Sequence, residues 1–199
     1  MTTTSGTHGA LDPAAVCAAA GLEGAAAAVL RQVSPTTGAG VRTAVDALVT
    51  RELLGDAARL LAHALPPRES VWWAWWCARR ALSPDAPDSA AASRALAAAE
   101  QWIAQPTDQH RRAALSAAEI VGSGTPAGCA GLAAFLCGGS IAPVGAPDTA
   151  APPFLAAKVV TGGVMLAAAA APAKSADQYR LFITQGLEVG RRIGLWASA

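Results

Sequence analysis

The residues best suited to binding or chemistry are concentrated in one segment, RESVWWAWWCARR, which runs from Arg68 to Arg80. It contains four of the six tryptophans of the chain, and Glu69 stands near its start. These four are Trp72, Trp73, Trp75 and Trp76. Tryptophan and arginine dominate the energetically important positions of protein interfaces. A tryptophan-lined pocket in which Arg68 and Glu69 converge would instead suit a small molecule.

The spacing of these tryptophans predicts a buried helix. Successive residues of an α-helix are about 100° apart, so the four indoles would cover a wide arc of its surface. A helix that is apolar over such an arc is normally packed on several sides. Each buried aromatic side chain also removes about 150–250 Å² from water. We therefore expect this segment to be the central helix of the core, with a binding surface for a partner protein as the alternative.

Two further places hold candidate binding residues. Gly138, Gly139 and Ser140 follow a predicted helix and could form a left-handed cap with an oxygen acceptor beyond it. Glu119 lies in an alanine-rich, apolar helical segment. A buried or partly buried carboxylate needs a cationic partner, so we expect Glu119 to form an ion pair with an arginine of the tryptophan-rich helix.

Cysteine and histidine give no metal or catalytic pattern. The four cysteines and three histidines match no common metal-ligand spacing, and no Gly-x-Ser-x-Gly motif occurs. His63 and His110 are interpreted as surface residues rather than catalytic bases. We therefore expect no metal, no cofactor and no enzymatic activity. The N-terminus lacks the charged region of a secretory signal, which predicts a cytoplasmic protein with reduced thiols.

Composition predicts an all-α fold. Hydrophobic residues make up 53% of the chain, alanine is the commonest residue, and β-branched residues never alternate over the length of a strand. We expect an irregular bundle of about eight helices, with a short α-solenoid of helical hairpins as the alternative. Residues 1–9 are predicted to be a flexible tail and 10–199 a single helical domain. The expected helices span 12–33 (one helix or a pair that begins after an Asp12 cap), 41–64, 67–82, 88–104, 106–121, 126–137, 154–171 and 175–195.

Charge and hydropathy exclude two classes of partner. The formal net charge is only +1 and charged residues make up 15% of the chain, which provides no basic surface for nucleic acid. The most apolar stretch, 159–171, is shorter than the roughly 20 residues that a membrane-spanning helix needs. We therefore expect neither nucleic-acid binding nor a membrane span.

Three segments resemble the signature of an uncharacterised family of bacterial proteins. They are LPPRESVWWA at 65–74, FLCGGSIAP at 135–143 and PPFLAAKVV at 152–160. The resemblance covers about 65–190, and the chain departs from the family pattern at Trp75, Trp76 and Cys137. It implies an all-helical fold without an established activity, and members are often encoded near type VI secretion genes. We therefore expect a non-catalytic protein-interaction module, an adaptor or accessory protein of such a secretion system, whose partner is another protein. The alternative is a small-molecule-binding protein or an enzyme of unknown reaction that uses a tryptophan-lined pocket.

Overall fold

A computed structural model describes residues 13–196, which form ten α-helices, one short 3-10 helix at Pro172–Lys174 and no strand. The α-helices are α1 (Pro13–Ala20), α2 (Gly24–Val33), α3 (Gly38–Thr50), α4 (Leu54–Ala64), α5 (Pro67–Ala81), α6 (Ser89–Ala104), α7 (Asp108–Val121), α8 (Pro126–Leu136), α9 (Leu155–Ala169) and α10 (Ser175–Arg192). The all-α prediction is confirmed. The predicted tail at 1–9 and the predicted cap at Asp12 lie outside the described residues.

The segment predicted as one helix over 41–64 is two helices, α3 and α4. Glu52 takes a left-handed backbone conformation with φ of 59° between them. The amide of Glu52 donates to the carbonyl of Val49 at 3.0 Å, and that of Leu53 donates to Leu48 at 3.0 Å. These two bonds form a Schellman motif, which ends a helix. Because glycine usually occupies the left-handed position, a glutamate there did not indicate the break.

The tryptophan-rich helix α5 is packed on several sides, as predicted, although Trp72, Trp75 and Trp76 are only half-buried. It packs against α6, α8, α9 and α10, although most of these helices are far from it in the chain. This arrangement is an irregular bundle, because a solenoid repeat contacts mainly its neighbours in sequence. Trp73 is fully buried, and its Nε1 donates to the carbonyl of Phe182 in α10 at 2.7 Å.

Small residues allow the helices around α5 to approach one another closely. A Cβ added to Gly131 of α8 would lie 2.7 Å from the carbonyl oxygen of Ala114 in α7. A Cβ added to Gly163 of α9 would lie 2.7 Å from Cβ of Cys129 in α8. Alanine and glycine contribute little apolar area each, so the few large side chains, Trp73 among them, supply much of the buried area.

Within residues 13–196, no single helix has both the length and the apolar character needed to cross a membrane. One bent pair, Leu155–Ala169 with Pro172–Arg192, passes that test only when its two parts are taken together, and they meet at 103°.

Candidate functional site

The start of α5 is organised by Pro67, Arg68 and Glu69. Proline is favoured at the first position of a helix, and a carboxylate in the first turn interacts well with the helix dipole. Arg68 extends from this turn to the end of α6. Its Nε donates to the carbonyl of Ile103 at 2.6 Å, and its Nη2 lies 3.5 Å from the carbonyl of Ala104. Arg68 therefore caps the C-terminal end of α6 and joins it to α5.

A concave surface opens beside this contact, and we call it the Arg68 groove. Its volume is about 260 Å³. It is lined by Arg68, Glu69 and Trp72 of α5, Ile103 of α6, Gln185, Val189 and Arg192 of α10, and Ile193. Ile193 is one of the few large apolar side chains that are exposed in residues 13–196, at 45%. The groove therefore combines apolar and charged side chains, a mixture that also occurs at protein interfaces.

Glu69 lines the groove, and one of its carboxylate oxygens is a buried, unsatisfied acceptor. Its Oε2 is buried and has no hydrogen-bond partner within residues 13–196. The rim arginines do not supply one, because Arg68 binds the carbonyls of α6 and Arg192 Nε lies 3.0 Å from Glu188 Oε1. Buried polar atoms are nearly always hydrogen-bonded. A donor from outside the chain would therefore find an acceptor at this position.

The other tryptophans of α5 lie outside the groove. Trp73 is a core residue and is not accessible to a partner, so it is not a binding residue of this surface. Trp75 Nε1 donates to the carbonyl of Leu96 in α6 at 3.1 Å. Trp76 contacts the Phe182 ring edge-on at 6.0 Å between centroids. Of the four tryptophans, Trp72 alone lines the Arg68 groove.

The prediction for Glu119 is wrong. Its side chain is exposed on α7, and no residue in the described part of the chain forms an ion pair with it. The buried face of α7 is formed by Arg111, Ala114 and Ala118 instead. Alanine occurs on both the buried and the exposed side of this helix, at Ala114 and at Ala113, so the sequence pattern did not show which face is buried.

The cation that is buried in this region is Arg111, which sequence reasoning missed. It is 3% exposed and donates to the carbonyls of Phe135 and Ser140, both at 2.7 Å. Its Nε also donates to Asp108 Oδ1 at 2.9 Å, and Arg112 Nε donates to Asp108 Oδ2 at 2.9 Å. These bonds from Arg111 and Arg112 hold the pKa of Asp108 below its usual value. The spacing of Asp108 from the two arginines, three and four residues along a helix, was the available signal.

The Gly138-Gly139-Ser140 turn is built around Arg111. Gly138 and Gly139 both have positive φ, 97° and 64°, as expected for a left-handed cap. A Cβ on Gly139 would lie 3.0 Å from Arg111 Nε, so glycine lets the guanidinium pass close to the backbone. The hydroxyl of Ser140 accepts from the amides of Ala142 and Thr149 at 3.1 and 3.0 Å. The oxygen acceptor predicted here is therefore occupied within the turn itself.

A second concave region lies on another side of α5, and we call it the His63 cavity. Its volume is about 540 Å³, and α4, α5, residues 136–138 and the segment 151–160 enclose it. The three segments on which the family resemblance rested, 65–74, 135–143 and 152–160, all contribute to its wall. His63 was predicted at the surface, but it is 2% exposed. It is the next-to-last residue of α4, and the ring of Phe154, which immediately precedes α9, stacks against it.

Comparisons with known proteins give a family without an assigned activity. No curated protein and no solved structure matches the chain. A family model described as a family of unknown function, DUF6931, matches residues 44–190. The match begins earlier than the region of resemblance at 65–190 and ends at the same residue. Since the match covers well over half of the sequence, the chain belongs to the DUF6931 family.

Proposed function

We propose that the protein is a non-catalytic interaction module that holds one side chain of a partner protein in the Arg68 groove. An accessory role in a bacterial type VI secretion apparatus is the specific form of this proposal that the family resemblance suggests. The observation that carries the proposal is the buried Oε2 of Glu69, which has no hydrogen-bond partner within residues 13–196. A partner that donates to this oxygen gains a hydrogen bond to a charged acceptor, which is stronger than a neutral one.

The size of the groove favours a side chain over a whole ligand. Small-molecule sites usually measure about 300–1,000 Å³, and the groove is smaller, at about 260 Å³. Its open rim carries the exposed Ile193, which extends the apolar contact area beyond the groove. A protruding anchor residue surrounded by flatter contacts is the common pattern at protein interfaces.

The chemistry of the groove also restricts the anchor. Arg68 and Arg192 stand beside Glu69, so an incoming cation would meet like charges. A neutral donor on an apolar body avoids this repulsion and can pack against Trp72 and Ile103. Tyrosine and tryptophan combine these properties, and both are enriched among interface anchors. The proposed occupant is therefore an exposed tyrosine or tryptophan of the partner.

Affinity capture from the native host tests this proposal with a matched pair of variants. The bait proteins are the wild type, Trp72→Ala in the groove, and Leu181→Ala, which removes an exposed apolar side chain outside it. The expected result is a partner that the wild type and Leu181→Ala retain equally and that Trp72→Ala loses. Thermal melts confirm that both variants are folded. A partner retained equally by all three baits would contradict the groove as its binding site.

The alternative prediction is a small-molecule-binding protein or an enzyme of unknown reaction. One observation supports small-molecule binding. The His63 cavity is about twice as large as the groove and falls within the range of small-molecule sites.

A further inference from the structure

The wall of the His63 cavity carries no charged side chain. It consists of aliphatic residues, prolines, a phenylalanine and a few neutral polar groups from α4, α5, residues 136–138 and the segment 151–160. Moving an ion into such surroundings without a partner is strongly unfavourable. The cavity therefore suits a neutral ligand, and its volume of about 540 Å³ is that of a small-molecule site.

The imidazole of His63 gives this apolar cavity an acceptor. His63 Nδ1 lies 2.8 Å from the carbonyl oxygen of Arg59, which can only accept a hydrogen bond, so Nδ1 carries the proton. In the neutral ring Nε2 is then an acceptor. Burial lowers the pKa of His63, which favours this neutral form. Nε2 is buried and has no hydrogen-bond partner within residues 13–196.

The remaining polar side chains of the wall, Ser70 and Cys137, are neutral, and each already donates a hydrogen bond to a backbone carbonyl. The hydroxyl of Ser70 donates to the carbonyl of Ala62 at 3.1 Å, so its oxygen can only accept a further bond. Burial raises the pKa of Cys137 to about 12, so this residue stays a neutral thiol. Its Sγ lies 3.9 Å from the carbonyl oxygen of Pro67. A ligand that provides a donor therefore complements this wall.

Phe154 provides independent support for a binding role. Its φ of 59° and ψ of 7° are left-handed, a conformation that is unfavourable for a bulky side chain. Such strain is held by the surrounding structure and is common where ligands are clamped. Here it places the phenyl ring against the imidazole of His63, with 5.8 Å between centroids and 24° between planes. A shift of this ring would give a ligand access to Nε2.

We infer that the His63 cavity binds a neutral, mainly apolar small molecule that donates one hydrogen bond to His63 Nε2, such as a phenol. The site is separate from the Arg68 groove, and the inference does not depend on the proposed protein partner. The ligand is recognised by its apolar body, which replaces water in the cavity, and by its hydroxyl, which satisfies the buried nitrogen.

A pair of probes tests the inference with the full chain. The probes are 4-propylphenol and 4-propylanisole, which differ in that the methyl ether of the anisole cannot donate a hydrogen bond. Ligand-observed NMR gives the dissociation constant of each. A hydrogen bond to an otherwise unsatisfied buried acceptor corresponds to roughly tenfold in affinity. We therefore expect the phenol to bind about ten times more tightly than the anisole.

Three variants test whether the preference for the phenol over the anisole arises in the His63 cavity. His63→Phe keeps an aromatic ring against Phe154 and removes the acceptor, so the two probes should bind equally. Ala157→Phe places a ring in the cavity and should abolish binding of both probes, which tests the site even if His63→Phe does not fold. Trp72→Ala, in the groove, should leave both dissociation constants unchanged. Equal binding of the probes to the wild type, no binding of either, or phenol binding that survives Ala157→Phe would each overturn the inference.

Discussion

The Arg68 groove and the His63 cavity lie on opposite faces of the same helix, and each is lined by a residue with a buried acceptor that has no hydrogen-bond partner in the described part of the chain. In the groove the acceptor is the carboxylate of Glu69, with Arg68 and Arg192 nearby. In the cavity it is a neutral imidazole that shares the wall with uncharged residues, while Arg59 and Lys158 lie near the ring outside this wall. The cavity is also about twice as large. One helix can therefore present two surfaces whose charge and volume select different classes of partner.

The largest expected effect is a difference in the free energy of unfolding between a variant in the core face of α5 and a variant in its groove face. Trp73→Ala removes a fully buried indole and should lower the free energy of unfolding by about 3–5 kcal/mol. Trp72→Ala removes a half-buried ring and should cost about 1 kcal/mol. Urea denaturation followed by circular dichroism measures both values. Similar losses for the two variants would mean that Trp72 is a core residue and would remove the distinction between the two faces.

A smaller loss of stability is expected for Arg111→Met, which should disturb the wall of the His63 cavity and leave the Arg68 groove intact. Arg111→Met leaves the buried carbonyl of Phe135 without its donor and that of Ser140 with only the longer bond from Arg112, at a cost of about 2–4 kcal/mol. Phenol binding should weaken, because the turn that Arg111 holds continues into the cavity wall. Arg112→Met is the matched control, since its guanidinium is more exposed and makes longer contacts with the same turn. Equal costs for the two variants would contradict the special role of Arg111.

The glycine turn allows a finer test of the same wall. Gly139→Ala forces a side chain into a left-handed position and within 3.0 Å of Arg111 Nε, and we expect a cost of about 1–2 kcal/mol. Gly145→Ala has the same kind of positive φ, at 88°, but a Cβ there has no atom within 4 Å. The difference between the two thermal melts measures the contact with Arg111. If both variants lower the melting temperature equally, the guanidinium of Arg111 moves away from the added Cβ without a measurable cost.

The smallest expected effect concerns pH and the cavity alone. Burial lowers the pKa of His63 in the folded chain, and the nearby cations Lys158 and Arg59 add to this. As the pH falls below the ordinary value of about 6.5, the unfolded chain binds the proton before the folded chain does. The free energy of unfolding should therefore fall from pH 8 to pH 5 by more in the wild type than in His63→Phe. A wild type that becomes more stable over this range, relative to His63→Phe, would show that the buried imidazole is paired.

The start of α5 could be predicted, and its surroundings could not. Pro67 at the first helical position, together with the dense indoles, correctly indicated a helix that begins there and packs on several sides. Trp72 and Trp73 are adjacent in the chain, yet Trp72 lines the groove and Trp73 lies in the core. The tryptophan pattern could not show this difference. That outcome depends on which helices pack on each face, and the packing partners α9 and α10 are distant in sequence.

Glu119 and His63 show the limit of local patterns in an alanine-rich chain. Both were interpreted from their neighbours, and both predictions of burial were wrong, in opposite directions. In α7 alanine lies on both the buried and the exposed side, and in α4 residues 60–64 are all buried, so hydrophobic periodicity did not distinguish an inner face from an outer one. Spacing between charges was the more useful signal, since Asp108 and the arginines that follow it form the pairs that their positions indicate.

The contact between Trp73 and α10 has a consequence for the groove. The indole donates to the carbonyl of Phe182, and one turn later it meets Gly186, where a Cβ would lie 2.9 Å from Cε2 of the ring. Together these two contacts fix the position of α10 along its axis relative to the indole, since a larger residue at 186 would meet the ring. Gln185 and Arg192 are carried on that same helix, so the ring inside the core sets the distance between the two sides of the surface that a partner would meet.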